Sequence, residues 1–269
     1  MNHEAPMADP PPITVSMTTI SLRLDSVAAT LRSLLAQDYP SLTLRLYLSR
    51  APFLLDNGVP GRLPEKLAEL DAEEDRLSIR FVPNIGPYRK ILPFLNETRG
   101  KRCLVATADD DTLYPPGWLS GLYSAYRRHR CVVCYRGHFM RREDRQFLGY
   151  RRWMSNGPTR NPDLYNLPTG KDGVLYDTSF FDPAVLNYIQ ALNIAPTADD
   201  LWLKWHYSAL EDVPTFIINP NYSKQTFEDQ VFGESLYRNF NRDGGNDAAV
   251  ARLEAYAEKA TGRRLAARL

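Results

Sequence analysis

The chain has 269 residues, 43% hydrophobic and 24% charged, and its 33 Lys and Arg against 32 Asp and Glu leave a formal charge of +1. This length suits one domain with an elaborated C-terminal part, and the apolar share supports a sizeable core. The even charge balance argues against a dedicated nucleic-acid binder, and no run of about 18 apolar residues is available to span a bilayer.

Basic residues cluster at positions 127–130, 141–152 and 263–268; each cluster reads first as a solvated face, and second as a contact for an acidic partner or a membrane. Cys131 and Cys134 lie in an apolar run, CVVCY, where strand periodicity turns residues three apart to opposite faces, so they make a poor zinc or redox pair. Reduced thiols and a polar, proline-rich N-terminus without a signal-like apolar stretch point to a cytoplasmic protein.

In chain order, ITVSM (13–17) reads as a central strand. Asp25 and Ser26 can cap a helix with Val27, Leu31, Leu34 and Leu35 on one face, stopped by Pro40. LTLRLYLS alternates strictly, placing Leu42, Leu44, Leu46 and Leu48 on one face of a second strand. A short helix over 65–72, a third strand over 77–82 and a fourth over 102–108 follow, the last ending on Asp109, Asp110 and Asp111. Pro115 and Pro116 suit the first turn of a helix that buries Trp118, Leu119, Leu122, Tyr123 and Tyr126, and CVVCYRG is the next strand.

Residues 141–169 are rich in Arg, Asn, Pro and Gly and predict a long, mobile loop. Asp182 and Pro183 open a helix over 184–192, and Asp199 and Asp200 open another carrying Leu201, Trp202, Trp205 and Ala209. VPTFIIN is a late strand, and an amphipathic helix with a basic end runs from Asp247. The β-α-β-α order predicts an α/β fold, a mostly parallel central sheet flanked by helices, with ligands collecting at the carboxyl ends of its strands.

Three consecutive carboxylates in ATADDDTLYPP repel one another, and a divalent cation among them relieves that cost. On this reading Asp109 and Asp111 share one side and Asp110 points toward a base or ribose; the competing reading is a helix N-cap cluster. Asp199 and Asp200 form a second acidic site that can supply a general base or, more blandly, a helix cap. Gly170 and Gly173 in TGKDGVLY permit close approach of a ligand to the backbone, or form a plain turn. Trp205 reads as core, and His206 as a satisfied helix histidine with no metal role.

The ordered motifs ITVSMTTISLR, IGPYRKILP, ADDDTLYPPGWL, TGKDGVLY and PTADDLWLK resemble those of GT-A glycosyltransferases, nucleotide-diphospho-sugar transferases with a Rossmann-like sheet. The similarity is greatest to a family-2-like branch of bacterial polysaccharide biosynthesis. It implies one domain: a nucleotide-sugar-binding half over 13–136, an acceptor and catalytic half over 137–245, and a C-terminal helix over 246–269. It implies that Thr18, Thr19 and Arg23 embrace the nucleotide, that Ser49 lies near the base, and that Lys90 reaches the nucleotide or its phosphates. Asn84 stands where many relatives carry an acid, and can still hydrogen-bond a base or ribose. Asp109 and Asp111 match the D-x-D motif that holds Mn²⁺ or Mg²⁺, Asp110 and Gly173 help bind the donor, Asp199 orients the acceptor, and Asp200 is the base of an inverting transfer.

The implied donor is a nucleoside diphosphate sugar. The acceptor is a glycan or lipid-linked glycan of a bacterial surface polymer (capsule, O-antigen or lipopolysaccharide), with peripheral contact between the basic C-terminal helix and the inner membrane. Residues 239–247 can fold over the donor as a lid. The alternatives are a nucleotidyltransferase, against which stands a first loop without glycine, and a catalytically inactive glycan-binding relative, which has no need of both acidic sites.

Overall fold

The computed structural model describes residues 9–154, 157–220, 227–229 and 235–268, so residues 1–8 of the proline-rich start, Leu269 and part of the segment after 220 lie outside the description. Strands β1 (Ile13–Thr18), β2 (Leu42–Leu48), β3 (Leu77–Phe81) and β4 (Leu104–Thr107) pair in parallel, with β1 between β2 and β4. Leu42, Leu44, Leu46 and Leu48 of β2 are all buried on one face, as the alternation predicts, while Tyr47 is buried on the other. Helices α1 (Val27–Leu35), α2 (Glu65–Glu73) and α3 (Leu92–Glu97) make the first crossovers.

After β4 a short strand β5 (Thr112–Leu113) precedes α4 (Trp118–His129). The two prolines therefore stand before this helix rather than in its first turn, and Tyr123 is only half-buried, while Trp118, Leu119, Leu122 and Tyr126 are buried as expected. Strands β6 (Val132–Cys134) and β7 (Gly137–Phe139) follow.

The stretch predicted as one long loop is structured. It holds a hairpin of β8 (Arg142–Glu143) and β9 (Gln146–Phe147), then β10 (Asn166–Pro168), which pairs with β7; residues 155–156 lie outside the described residues. Its aromatic residues are the physical reason: Trp153 and Tyr165 are buried, and Phe147 packs edge-on against Trp153, Tyr165 and Trp205. Strand β11 (Val174–Asp177) then inserts antiparallel between β4 and β6, and β12 (Thr215–Ile217) closes the seven-stranded order β12-β6-β11-β4-β1-β2-β3; β13 (Glu228–Asp229) pairs with β5.

The helix predicted over 184–192 is two pieces, a 3₁₀ turn Pro183–Leu186 and α5 (Tyr188–Ile194), because the Asn187 side chain accepts from the Gln190 N–H and starts a new helix. Helix α6 (Asp199–Lys204) continues as a π-helical turn, Trp205–Leu210. Trp202 and Trp205 are wholly buried, with their indole N–H groups donating to the Val185 carbonyl and to Glu254. Helix α7 (Gly245–Thr261) ends at Gly262 in the left-handed conformation, so the basic tail does not extend it. Instead the tail turns back: Leu265 is fully buried, and Glu254 accepts from the N–H groups of Leu265 and Ala266. Among the described residues no helix is long and apolar enough to cross a membrane.

Candidate active site

Strand β4 delivers Asp109, Asp110 and Asp111 to the carboxyl edge of the parallel strands. The turn is pinned by the Asp109 N–H donating to the Tyr114 hydroxyl at 2.8 Å and by the Thr30 hydroxyl donating to the Asp110 carbonyl at 3.1 Å. Helix α4 starts only at Trp118, so the triplet does not cap it.

Two cations offset the crowded negative charge. Lys90 Nζ lies 2.5 Å from Asp109 Oδ1, and Arg23 Nη1 lies 2.6 Å from Asp110 Oδ1 and 3.2 Å from Asp111 Oδ2. The Thr19 hydroxyl donates to the other Asp110 oxygen at 2.6 Å. Asp110 therefore has both oxygens engaged within the protein, where it organises Thr19 and Arg23 at the wall of a cavity. Asp109 and Asp111 keep 24% and 32% of their side-chain surface and face open space.

That open space is two cavities meeting at the turn. The first, about 220 Å³, is lined by Thr18, Thr19, Arg23, Phe53, Leu54, Asp56, Arg89 and the acidic triplet. The second, about 540 Å³, runs past Asp109 and Asp111 to Asp200, Gly170, Lys171, Arg136 and the segment from Ser235 to Asn246. Arg23, Lys90, Asp109, Asp111 and Asp199 border both.

The second acidic pair faces the triplet across Lys90. Ala198, not either aspartate, is the cap residue of α6, so both carboxylates are available to the site. Asp200 Oδ2 accepts the Gly170 N–H at 2.8 Å, and Asp199 Oδ2, on a residue 8% exposed, has no hydrogen-bond partner among the described residues. Burial, and then the charge of Asp199, push the Asp200 carboxyl up to about 7, against the pull of Lys90. Burial also raises Asp199, opposed by Lys90. Burial disfavours the charge on Lys90 itself, but Asp109 and then Asp199 and Asp200 outweigh that and hold the amine protonated.

Thr18, Thr19, Arg23, Lys90, Asp109, Asp110, Asp111, Asp199 and Asp200 all line the joined cavities. Three expected residues do not. Ser49 is 1% exposed and its hydroxyl accepts the Ala51 N–H, so it braces the loop after β2. Asn84 donates to the Ala51 carbonyl and to Asp56, tying two loops together. Gly173 lies against Trp118, where an added Cβ would stand 2.4 Å from the indole; the glycine at the cavity wall is Gly170.

Asp56 and Arg89 went unmarked in the sequence. Arg89, 1% exposed, pairs with Asp56 at 2.8 Å, while its Nε and Nη1 have no hydrogen-bond partner among the described residues. Asp56 also accepts the N–H groups of Ser21 and Gly58, joining the loops after β1 and β2. The DNG run at 56–58 was the available signal, but it reads as turn chemistry.

Among the described residues no group of three His, Cys, Asp or Glu side chains converges as a closed metal site. The donor set at the turn is instead two partly exposed carboxylates, Asp109 and Asp111, which suits Mg²⁺ or Mn²⁺ completed by water and phosphate oxygens. His206 is fully buried and bonds Asp182 through Nδ1 at 2.7 Å, away from both of these cavities. Ser235 and Leu236 border both cavities, and Tyr237, Arg238, Asn241 and Asn246 border the second, so the segment expected as a lid forms a side wall.

Residues 20–181, more than half of the chain, match the sequence profile of Glycosyl transferase family 2. No curated protein sequence matches significantly. Among solved structures, the mannosyltransferase PcManGT from Pyrobaculum calidifontis, in complex with GDP-Man and Mn²⁺, aligns at a TM-score of 0.59 and 14% identity over 92% of this chain and 69% of that one. S. aureus TarS 1-349 in complex with UDP-GlcNAc aligns at 0.54 and 14% identity, over 92% and 70%. The chain spans 59% of TarS 1-349 as matched in another crystal structure. With the profile covering both β4 and the acidic turn, and the mostly parallel sheet superposing on these neighbours over 92% of the chain, the chain belongs to glycosyl transferase family 2 and has a GT-A fold.

Proposed function

We propose that this chain transfers a sugar from a nucleoside diphosphate sugar to a bacterial surface glycan, with inversion at the anomeric carbon. The observation that carries this reading is the meeting of two cavities at Asp109, Asp111 and Asp199, with the raised carboxyl of Asp200 on the larger side only. The smaller cavity, with Phe53 and Leu54 on one side and the donors of Arg89 on another, suits a base and ribose. Similar folds crystallised with GDP-Man and UDP-GlcNAc support a nucleotide-sugar donor.

In this reading the diphosphate lies at the acidic turn. Asp109 and Asp111 would hold Mn²⁺ or Mg²⁺ there, whose charge offsets that of the leaving diphosphate. Lys90 and Arg23, already beside those carboxylates, orient the turn and add positive charge next to the phosphates. The sugar projects into the larger cavity, where an acceptor hydroxyl attacks the anomeric carbon opposite the leaving oxygen. Asp200 takes the hydroxyl proton; its carboxyl, poised near 7, matches the operating pH of a general base. The Gly170 N–H fixes the carboxylate, leaving its other oxygen for the acceptor. Nucleotide sugars and lipid-linked acceptors meet at the cytoplasmic face of the inner membrane, where we place the reaction.

The test is a thermal-shift series with UDP-, GDP-, dTDP- and ADP-sugars, each with and without Mn²⁺. One nucleotide should raise the melting temperature, and more so with metal, because a ligand that binds only the folded state stabilises it by mass action. Well-folded protein that responds to none of them would remove the transferase reading.

A further inference from the structure

We infer that Lys90 is a built-in counter-ion for Asp109, which gives way to the metal only when a diphosphate takes up its charge, so that metal and nucleotide sugar bind as one unit. The inference rests on the sugar-transfer reading of the acidic turn and adds how that turn is held while no donor is bound.

Lys90 and Asp109 are paired at 2.5 Å, and their side chains keep only 14% and 24% of their surface exposed. A divalent cation on Asp109 and an ammonium group at that distance repel each other, and partial burial makes the repulsion stronger than it is in water. The amine and the metal therefore compete for one carboxylate.

A lysine kept only for the fold would use its ammonium group more fully. That group has three N–H donors, and Lys90 spends one of them, on Asp109 Oδ1, its sole hydrogen-bond partner among the described residues. The residue borders both cavities, so the remaining donors lie where the diphosphate is placed. Arg23, the other cation at the turn, is held differently. Its shorter contact is to Asp110, at 2.6 Å, against 3.2 Å to Asp111. Arg23 can stay on Asp110 while Asp111 takes a metal. Lys90 has no second ion-pair partner among the described residues to retreat to.

The fold fixes the backbone of Lys90 and leaves its stem to turn. Lys90 closes the 3₁₀ turn Gly86–Lys90. Within that turn the Tyr88 hydroxyl donates to the Ala195 carbonyl at 2.5 Å, and Arg89 pairs with Asp56 at 2.8 Å. The Ser16 hydroxyl donates to the carbonyl of Lys90 itself at 2.6 Å. Three successive residues are thus anchored to three separate parts of the chain, and the flexible four-carbon stem of the lysine is the part that can swing. Moving from Asp109 to a phosphate oxygen exchanges one charge-assisted contact for another. Without a phosphate, the same movement leaves a mostly buried cation with no partner, which is costly. That difference couples metal binding to nucleotide binding.

The experiment measures Mn²⁺ bound to the whole chain by electron paramagnetic resonance, alone and with saturating UDP, GDP, dTDP or ADP, in the unaltered chain and in Lys90→Met. The unaltered chain should bind Mn²⁺ about tenfold or more tightly with one of these nucleotides, and by linkage that nucleotide should bind more tightly with Mn²⁺ by the same factor. Direct contact between metal and phosphate also produces coupling, so the deciding arm is the metal alone. Without nucleotide, Lys90→Met should bind Mn²⁺ about tenfold more tightly than the unaltered chain, and the nucleotide should then add less. Lys90→Arg, which keeps the charge, should show no such gain. Lys90→Gln gives the same reading if circular dichroism shows that the Met variant does not fold. Equal Mn²⁺ affinity in Lys90→Met and the unaltered chain, Mn²⁺ binding by neither, or a gain in Lys90→Arg as large as in Lys90→Met overturns the proposal. So does an unaltered chain that binds Mn²⁺ as tightly alone as with nucleotide. If none of the nucleotides binds, the sugar-transfer reading falls, while the metal-alone arm still decides whether Lys90 holds the place of the metal.

Discussion

The charges of Asp199, Lys90 and Asp109 all act on the Asp200 carboxyl, so substitutions among them are felt there. Asp200→Asn should cut turnover by about a hundredfold or more while donor binding persists, as expected for loss of a general base. Near-full activity in that variant would remove the base assignment. Removing a negative neighbour eases ionisation of Asp200, so Asp199→Asn should move the acidic limb of the kcat/KM profile to lower pH, and Lys90→Met should move it to higher pH. Limbs that shift together, or not at all, would break the electrostatic account. The same shift has a stability consequence. Between the ordinary carboxylate range and about pH 7 the folded chain holds more protons at Asp200 than the unfolded chain, so this group lowers stability as pH rises through that window. Lys204, one turn further along α6, behaves as its converse. It is wholly buried against Ser208 and Thr215, and burial pushes its amine down to about 7. From about 7 to 10.5 the unfolded chain binds more protons there, so stability rises with pH across that range. Lys204→Met should raise the melting temperature at neutral pH and flatten that dependence, as read by calorimetry at several pH values.

At the scale of elements, the turn between β10 and β11 shows two glycines with different work. Gly173, at φ +93°, has Trp118 where a side chain would go, so Gly173→Ala should destabilise the fold by about 3 kcal/mol through strain and overpacking. Gly170 has no such backbone demand, but an added methyl would stand 3.0 Å from Asp200 and 3.1 Å from Lys90. Gly170→Ala should therefore reduce turnover while leaving denaturant stability close to the unaltered chain. A chain that loses stability at 170 and tolerates 173 would reverse the assignment. The sequence named Gly173 because both glycines look alike in a turn; Trp118, more than fifty residues away, decides between them. Other elements were legible because their signals are local. The leucine alternation of β2, the capped face of α1 and the apolar run into Asp109 need no distant partner to be read. The hairpin and strand within 141–169 were not, since short strands rich in arginine and proline are held by aromatic packing from elsewhere.

At the scale of the whole molecule, the C-terminal tail closes the larger half rather than hanging from it. Leu265 and Ala266 are buried, Arg268 pairs with Asp212, and the Tyr165 hydroxyl donates to the Arg268 carbonyl at 2.6 Å. Deleting residues 263–269 should therefore cost about 3 kcal/mol of stability, from the lost leucine burial and from a Glu254 carboxylate left without its two N–H donors. Chemical denaturation that finds the shortened chain equally stable would free the tail for another task, contact with an anionic membrane among them.

Some of this was written in the sequence alone. The strand-helix alternation, the acidic turn at the end of β4 and the acid pair at the head of α6 are encoded by hydrophobic period and by charges that sit next to each other in the chain, and their order resembles that of one family. The tertiary structure decided what depends on distance between segments. It brought Lys90 to Asp109, Arg23 and Thr19 to Asp110, and Arg89 to Asp56; it slid β11 backwards between β4 and β6, placing Gly170 rather than Gly173 against Asp200. Ion pairing and backbone approach act over a few ångströms of space, which side chains nineteen to ninety-one residues apart share only after the sheet has formed.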